Sequence, residues 1–330
     1  MIALPAWVAG QAFPLLGGPV LAILAGILIT MAAPKLLKRE LFKGLSFNEG
    51  VKYTSKKLLQ VSIVLLGFNM NFFNVLRIGG MSLAVLACVF LTGFIMAYFG
   101  GRLLRLPGNT SVLIGVGTSV CGGSAIAAVA PVIRAQDEDV TRAISTIFLF
   151  NVAAVLIFPA LGRFLGMDDT VFGVWAAAAI NDTSSVVAAG TAWSHAAGYD
   201  IALEVATIVK LTRTLAIIPI AVFFAFYSTK KAAAGGAEGG GDFSFAKIFP
   251  WFILFFLGSA LANTFLGLPQ GLSPALVRVG QFAIVMAMAA IGLNTDFKSL
   301  FSSGAKPILL GGLSWLAVAA ASLAALRLLF

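Results

Sequence analysis

Two short runs of small polar residues interrupt long apolar stretches of this chain. The first is Gly115-Val-Gly-Thr118-Ser119-Val-Cys121-Gly122-Gly123-Ser124, glycine and hydroxyl with one thiol. The second is Asn181-Asp182-Thr183-Ser184-Ser185. Glycine is costly inside a helix and permits unusual φ/ψ, so Gly122-Gly123, flanked by Ser119 and Ser124, predicts a helix break. Five polar residues in succession cannot face lipid, because each unsatisfied group there costs several kcal/mol. They must line a cavity or pack against other polar groups. The chemistry this suggests is anion binding. A half-helix N-terminus carries about half a positive charge and unpaired N–H groups, and hydroxyls rotate to meet oxyanion oxygens. Thr118, Ser119, Gly122, Gly123 and Ser124 from one run, with Asn181, Thr183, Ser184 and Ser185 from the other, are the candidate substrate-binding residues. The alternative is that Gly and Ser only permit close helix packing.

Lys210 and Arg213 lie three apart inside the apolar stretch 202–227 and so share a helix face. Cations inside a membrane are rare; they line a cavity or pair with a carboxylate. One reading has them attract an anionic substrate, the other has them form a structural ion pair with Asp182. Asp182 is the one carboxylate deep in a predicted span, and it is the candidate coupling residue that takes up and releases a proton. Asn69, Asn151 and Gln281 are single polar residues in spans and are expected to make interhelical hydrogen bonds.

The elements that position these residues follow from composition. Of 330 residues, 60% are apolar and 11% charged, and the mean hydropathy is +1.00. Soluble domains run at about 45–50% apolar and 25% charged. That excludes a soluble enzyme and a disordered chain, and it predicts an all-α polytopic membrane protein. Apolar segments fall near 16–33, 57–76, 80–100, 109–133, 141–163, 170–190, 202–227, 249–267, 275–293 and 305–328. That is about ten transmembrane segments in one transporter domain spanning 1–330. Residues 228–248 are Gly/Ala-rich and polar and read as a cytoplasmic flexible linker between helices.

The net charge of +9 reads as loop charge that orients the chain, not as a nucleic-acid surface. The segment 34–57 is the most basic, with Lys35, Lys38, Arg39, Lys43, Lys52, Lys56 and Lys57 against Glu40 and Glu49. The positive-inside rule makes it cytoplasmic and puts the N-terminus outside. A single histidine, His195, and two separated cysteines, Cys88 and Cys121, supply neither a metal cluster nor a nucleophile–base pair. No metal, no cofactor and no enzymatic activity is expected. No GxxxxGK[ST] run is present, which argues against direct ATP drive.

Internal similarity suggests duplication. Ser124-Ala-Ile-Ala-Ala128 parallels Ser185-Val-Val-Ala-Ala189, and Gly67-Phe-Asn69-Met-Asn71-Phe72 parallels Gly292-Leu-Asn294-Thr-Asp296-Phe297. With the expected topology the second pair runs in opposite directions, as in inverted-repeat transporters. Whether the two broken segments cross as discontinuous helices or re-enter stays open.

The run Gly115 to Ile133 resembles the signature of the YeiH family of proposed sulfate exporters. Lys57-Leu-Leu through Gly67, Val187-Ala-Ala-Gly190 and Val209-Lys-Leu-Thr-Arg213 agree with it. That family is similar to bile-acid/sodium symporters and cation–proton antiporters. The resemblance implies two inverted repeats, a panel bundle and a core bundle with broken helices, in a bacterial inner membrane. It implies export of sulfate or sulfite, with the site at Thr118, Ser119, Gly122, Gly123, Ser124, Asp182, Lys210 and Arg213. A proton or sodium ion would couple transport, and a homodimer is common in the wider group. The competing expectation is a sodium- or proton-coupled carrier of another small anion, or a cation–proton antiporter.

Overall fold

The computed structural model describes residues 2–12, 17–32, 40–42, 45–234, 249–269, 271–295 and 303–329. The chain is helical throughout these segments apart from a short antiparallel ribbon, Glu40–Phe42 with Leu45–Ser46. In order the helices are α1 (Ala3–Ala12), α2 (Gly17–Ala32), α3 (Phe47–Tyr53), α4 (Leu59–Leu66), α5 (Phe72–Leu103), α6 (Gly108–Ser119) and α7 (Gly123–Val129). They continue with α8 (Asp137–Phe164), α9 (Asp169–Ala179), α10 (Thr183–Ala197), α11 (Ile201–Leu215), α12 (Ile217–Ala234), α13 (Trp251–Phe265), α14 (Leu272–Leu293) and α15 (Ala305–Leu329). A π-turn, Thr54–Leu58, joins α3 to α4.

Among the described residues, five helical stretches are long and apolar enough to cross a membrane: Phe72–Leu103, Asp137–Phe164, Ile201–Ser228, Leu272–Leu293 and Ala305–Leu329. Gly17–Ala32 and Trp251–Phe265 are shorter apolar helices. Helix α5 shows why these surfaces suit lipid. Its buried face is a stripe of small or branched residues, Gly79, Ser82, Val89, Gly93, Ala97 and Gly101. Its opposite face exposes Leu76, Leu83, Leu91, Ile95 and Phe99. A soluble helix would expose polar residues there, whereas lipid-facing helices reserve small residues for their contacts.

Two of the expected spans have different limits. The segments 57–76 and 80–100 were expected to part near Gly79-Gly80. The chain instead turns at Gly67–Met70, and α5 runs unbroken through both glycines. Asn71 explains the start, since its side chain accepts the N–H groups of Phe73 at 2.9 Å and Asn74 at 3.3 Å. Gly79 serves packing, with Thr212 Oγ1 3.0 Å from where a Cβ would lie. Helix α12 extends to Ala234, into the stretch read as linker; residues 235–248 lie outside the described residues.

The helices form two groups. One holds α1, α2, α4, α13 and α14; the other holds α5, α6, α8, α9, α10, α11 and α15, and α10 packs on α2 and α14 to join them. Contacts within the first group are close: a Cβ at Gly292 would lie 2.2 Å from the Ile23 carbonyl oxygen of α2. Gly67, its counterpart in the sequence parallel, approaches the Phe256 carbonyl of α13 in the same way, at 2.7 Å. Both glycines thus sit near a helix C-terminal end pressed against a neighbouring backbone.

Candidate functional site

Both polar runs end one helix and begin another. Helix α6 stops at Ser119 and α7 starts at Gly123; between them Val120 leaves helical geometry and Gly122 takes φ +64°. Helix α9 stops at Ala179 and α10 starts at Thr183, with Ile180 and Asp182 extended. The two interruptions meet. A Cβ on Gly122 would lie 3.4 Å from both Asp182 Cβ and Ile147 Cγ2. A Cβ there would make ordinary contacts, so it is the positive φ that calls for glycine.

Lys210 and Arg213, both fully buried, project from α11 into this meeting point. The Lys210 ammonium donates to the carbonyls of Val120 (3.1 Å), Ile180 (2.9 Å) and Asn181. Arg213 donates through Nε to Ser119 O (2.8 Å) and through Nη2 to Thr118 O. Its Nη1 donates to the carbonyls of Ala177 (3.0 Å), Ala178 (2.9 Å) and Ile180 (3.1 Å). The last carbonyls of α6 and α9 have no partner within their own helices, and these two side chains supply one. Each helix C-terminus carries about half a negative charge. Two such ends offset part of the charge of the two cations.

This bears on two sequence expectations. Lys210 has three donors and three carbonyls to fill them, and Arg213 directs Nε, Nη1 and Nη2 to carbonyls as well, so both cations are committed largely to the helix ends. Neither forms an ion pair with Asp182; among the described residues the one salt bridge is Arg142–Glu138. Asp182 instead caps α10, accepting from the Ser184 N–H at 3.0 Å and from the Ser184 hydroxyl. Its own N–H donates to Asn151 Oδ1 at 3.2 Å. The α10 N-terminus, expected to receive an anion, thus already holds a carboxylate of this chain.

The other candidates separate by position. The hydroxyls of Thr118 and Ser119 and both polar atoms of Asn181 are buried and have no partner among the described residues. Ser119 Oγ lies against α5, 2.2 Å from where a Cβ on Gly93 would be. Ser185 is buried in the first turn of α10, and Gly123 opens α7. Ser124 and Thr183, of the residues singled out for binding, line a cavity.

That cavity, of 390 Å³, lies where the two helix groups face each other. One wall carries Cys121, Ser124, Thr183 and Thr214. The facing wall brings Lys56 and Gln60, with Phe249 and Phe252 beside them. Lys56 is exposed to the cavity and has no hydrogen-bond or ion-pair partner among the described residues. No carboxylate lines this cavity among the described residues. Lys56 was read only as loop charge, and nothing local in the sequence brings residue 56 to residues 124 and 183.

A second interface cavity, of 230 Å³, lies at the other end of α10. Trp7, Pro19 and Gln281 face Thr191, His195 and Asp200 across it. Gln281 donates to Asp200 at 3.0 Å, and Asn69 donates to Glu204, a carboxylate the sequence reading passed over. With Asn151, all three isolated amides therefore make contacts between helices. No group of three or more His, Cys, Asp or Glu able to hold a metal occurs among the described residues.

Long apolar helices exposing large hydrophobic faces around a buried polar centre define a polytopic helical membrane protein. A family model described as "Conserved hypothetical protein 698" matches residues 1–311, and the chain belongs to that family. A UPF0324 membrane protein of Streptococcus pyogenes serotype M6 is 46% identical over 98% of this chain and 93% of its own length. UPF0324 membrane proteins of Fusobacterium nucleatum and Streptococcus mutans are 43% and 42% identical, over 100% of this chain and 96% and 95% of theirs. No solved structure matches the chain.

Proposed function

We propose that this protein is a secondary transporter of a small anion, a carrier and not an enzyme. The observation that carries the reading is the cavity between the helix groups. It is lined by an unpartnered ammonium, hydroxyls and an amide and by no described carboxylate. Such a lining favours negative charge. The mechanism we infer is alternating access. Helix α10 reaches one interface cavity with Thr183 and the other with His195, about 18 Å apart at 1.5 Å per residue. Between them Val187, Ala188 and Ala192 pack on Ile284, Val285 and Met288. Rocking one helix group against the other would close the first cavity and enlarge the second.

In this reading the chain has about ten membrane-spanning segments with inverted repeats, and α6–α7 and α9–α10 are the two broken elements, discontinuous or re-entrant. The Gly67 and Gly292 parallel supports the duplication. Lys56 belongs to the basic 34–57 segment, so the positive-inside rule puts the first cavity on the cytoplasmic side of a bacterial inner membrane, the loading side for export. The family resemblance adds sulfate or sulfite as the starting substrates. Asp182 remains the coupling candidate, as a half-buried carboxylate that no cation pairs among the described residues. The test is counterflow of radiolabelled sulfate or sulfite in proteoliposomes. Saturable, protein-dependent exchange supports the reading. Its absence, with sodium- or proton-driven cation flux instead, would favour a cation–proton antiporter.

A further inference from the structure

The cavity's lining says more about the substrate than its sign. This step rests on the reading that the cavity is the transport site, and it narrows the substrate class. The polar groups free to meet a ligand are Lys56, Gln60, Ser124 and Thr183. None has a partner among the described residues, whereas the Thr214 hydroxyl is already committed to the Lys210 carbonyl at 2.8 Å. Only one of the four is charged. The two nearby buried cations direct their donors to helix-end carbonyls, so among the described residues Lys56 is the one free positive charge at the cavity.

The rest of the lining is apolar and includes Ile217, Phe249 and Phe252. The cavity volume is 390 Å³, well above what a single small ion fills. A bare tetrahedral oxyanion leaves most of that space, and all of the apolar wall, unused. A divalent ion would also keep one of its charges uncompensated in a partly dry site.

We propose that the site selects a small organic monoanion, a sulfonate or carboxylate head on a short apolar body, with Lys56 as its charge partner. The head sits between Lys56 and the hydroxyls of Ser124 and Thr183, and the body lies against Phe249 and Phe252. Lys56 is carried by the π-turn Thr54–Leu58, a backbone irregularity found frequently at functional sites. It comes from the opposite helix group to Ser124 and Thr183. A ligand held by both therefore bridges the two groups whose relative motion would carry it across.

The experiment is isothermal titration calorimetry of the purified full-length protein with ethanesulfonate, propionate, sulfate and sulfite. Wild type, Lys56→Gln, Lys56→Arg and Phe252→Ala are compared, each first checked for an unchanged melting point. Ethanesulfonate is expected to bind at least tenfold tighter than sulfate, since burying two carbons contributes about that factor. Lys56→Gln should weaken it tenfold or more and Lys56→Arg should restore most of the loss. Phe252→Ala should reduce the preference over sulfate. Sulfate or sulfite binding as tightly as ethanesulfonate, still through Lys56, would overturn the organic-monoanion inference and leave anion transport standing. Failure of every anion to bind the folded wild type would overturn both.

Discussion

Three cations lie close to the two helix interruptions, and they do opposite things. Lys210 and Arg213 are fully buried and spend their donors on the carbonyl ends of α6 and α9. Lys56 stands exposed in the cavity with no partner among the described residues. In sequence the first pair looks like the binding site and Lys56 like loop charge. The difference in their partners follows from where helix ends leave unpaired groups. A broken helix inside a membrane exposes acceptors at one end and donors at the other. The acceptor ends here need cations for their own satisfaction. A buried charge is therefore not a free charge, and what decides is how many of its donors remain unspent.

That contrast can be broken by substitution, and the stability effects should fall in a definite order. Arg213→Ala strips the carbonyls of Thr118, Ser119, Ala177 and Ala178 of their one side-chain donor. Removing one partner of a buried charged network costs about 3–5 kcal/mol. The variant should show the largest fall in melting point in detergent, or fail to accumulate folded. Wild-type melting in a well-folded Arg213→Ala protein would contradict the bracing role.

Next comes Gly122→Ala. Its φ of +64° with ψ of −129° is a conformation held almost only by glycine, and forcing another residue into it costs about 1–3 kcal/mol. Thermal unfolding should register that loss. Neutral behaviour would mean that the α6–α7 junction relaxes freely.

Asp182 should have a smaller effect. Asp182→Ala removes an N-cap and should cost about 1 kcal/mol, whereas Asp182→Asn keeps a capping oxygen and should stay within a few tenths. The Asn variant thus separates capping from coupling. If Asp182 carries the proton, Asp182→Asn retains anion exchange but loses acceleration by a pH gradient in proteoliposomes. Gradient-driven transport that persists would move the coupling role to another carboxylate, Glu204 being the nearest candidate by burial and its Asn69 contact.

Lys56→Gln should change stability least, within about 0.5 kcal/mol as expected for an exposed side chain without partners. It should nonetheless have the largest effect on anion binding. The order of effects on stability and on function is thus inverted between the two classes of cation.

How much of this was legible in the sequence follows the same division. The interruptions were readable because Gly122-Gly123 and Asn181 to Ser185 break apolar runs that lipid would otherwise require. The importance of Lys210 and Arg213 was readable for the same reason. Their partners were not, since a carbonyl acceptor leaves no trace in residue type. The turn at Gly67–Met70 had a usable signal in Asn71 as a helix cap, while the glycine pair at 79–80 pointed to the wrong place because packing against Thr212, not chain reversal, uses Gly79. Lys56 had no local signal. Its approach to Ser124 and Thr183 depends on how the two helix groups face each other, which is tertiary information.

The central claim is this division between a bracing pair and a binding lysine. The most direct measurement pairs melting point with anion affinity for Lys56→Gln and Lys210→Met, using ethanesulfonate and sulfate as ligands. The account predicts that Lys56→Gln melts like wild type and loses affinity at least tenfold. Lys210→Met should melt lower while its folded fraction binds with near wild-type affinity. Normal binding by Lys56→Gln, together with lost binding by a stably folded Lys210→Met, would contradict it and return the substrate to the buried cations.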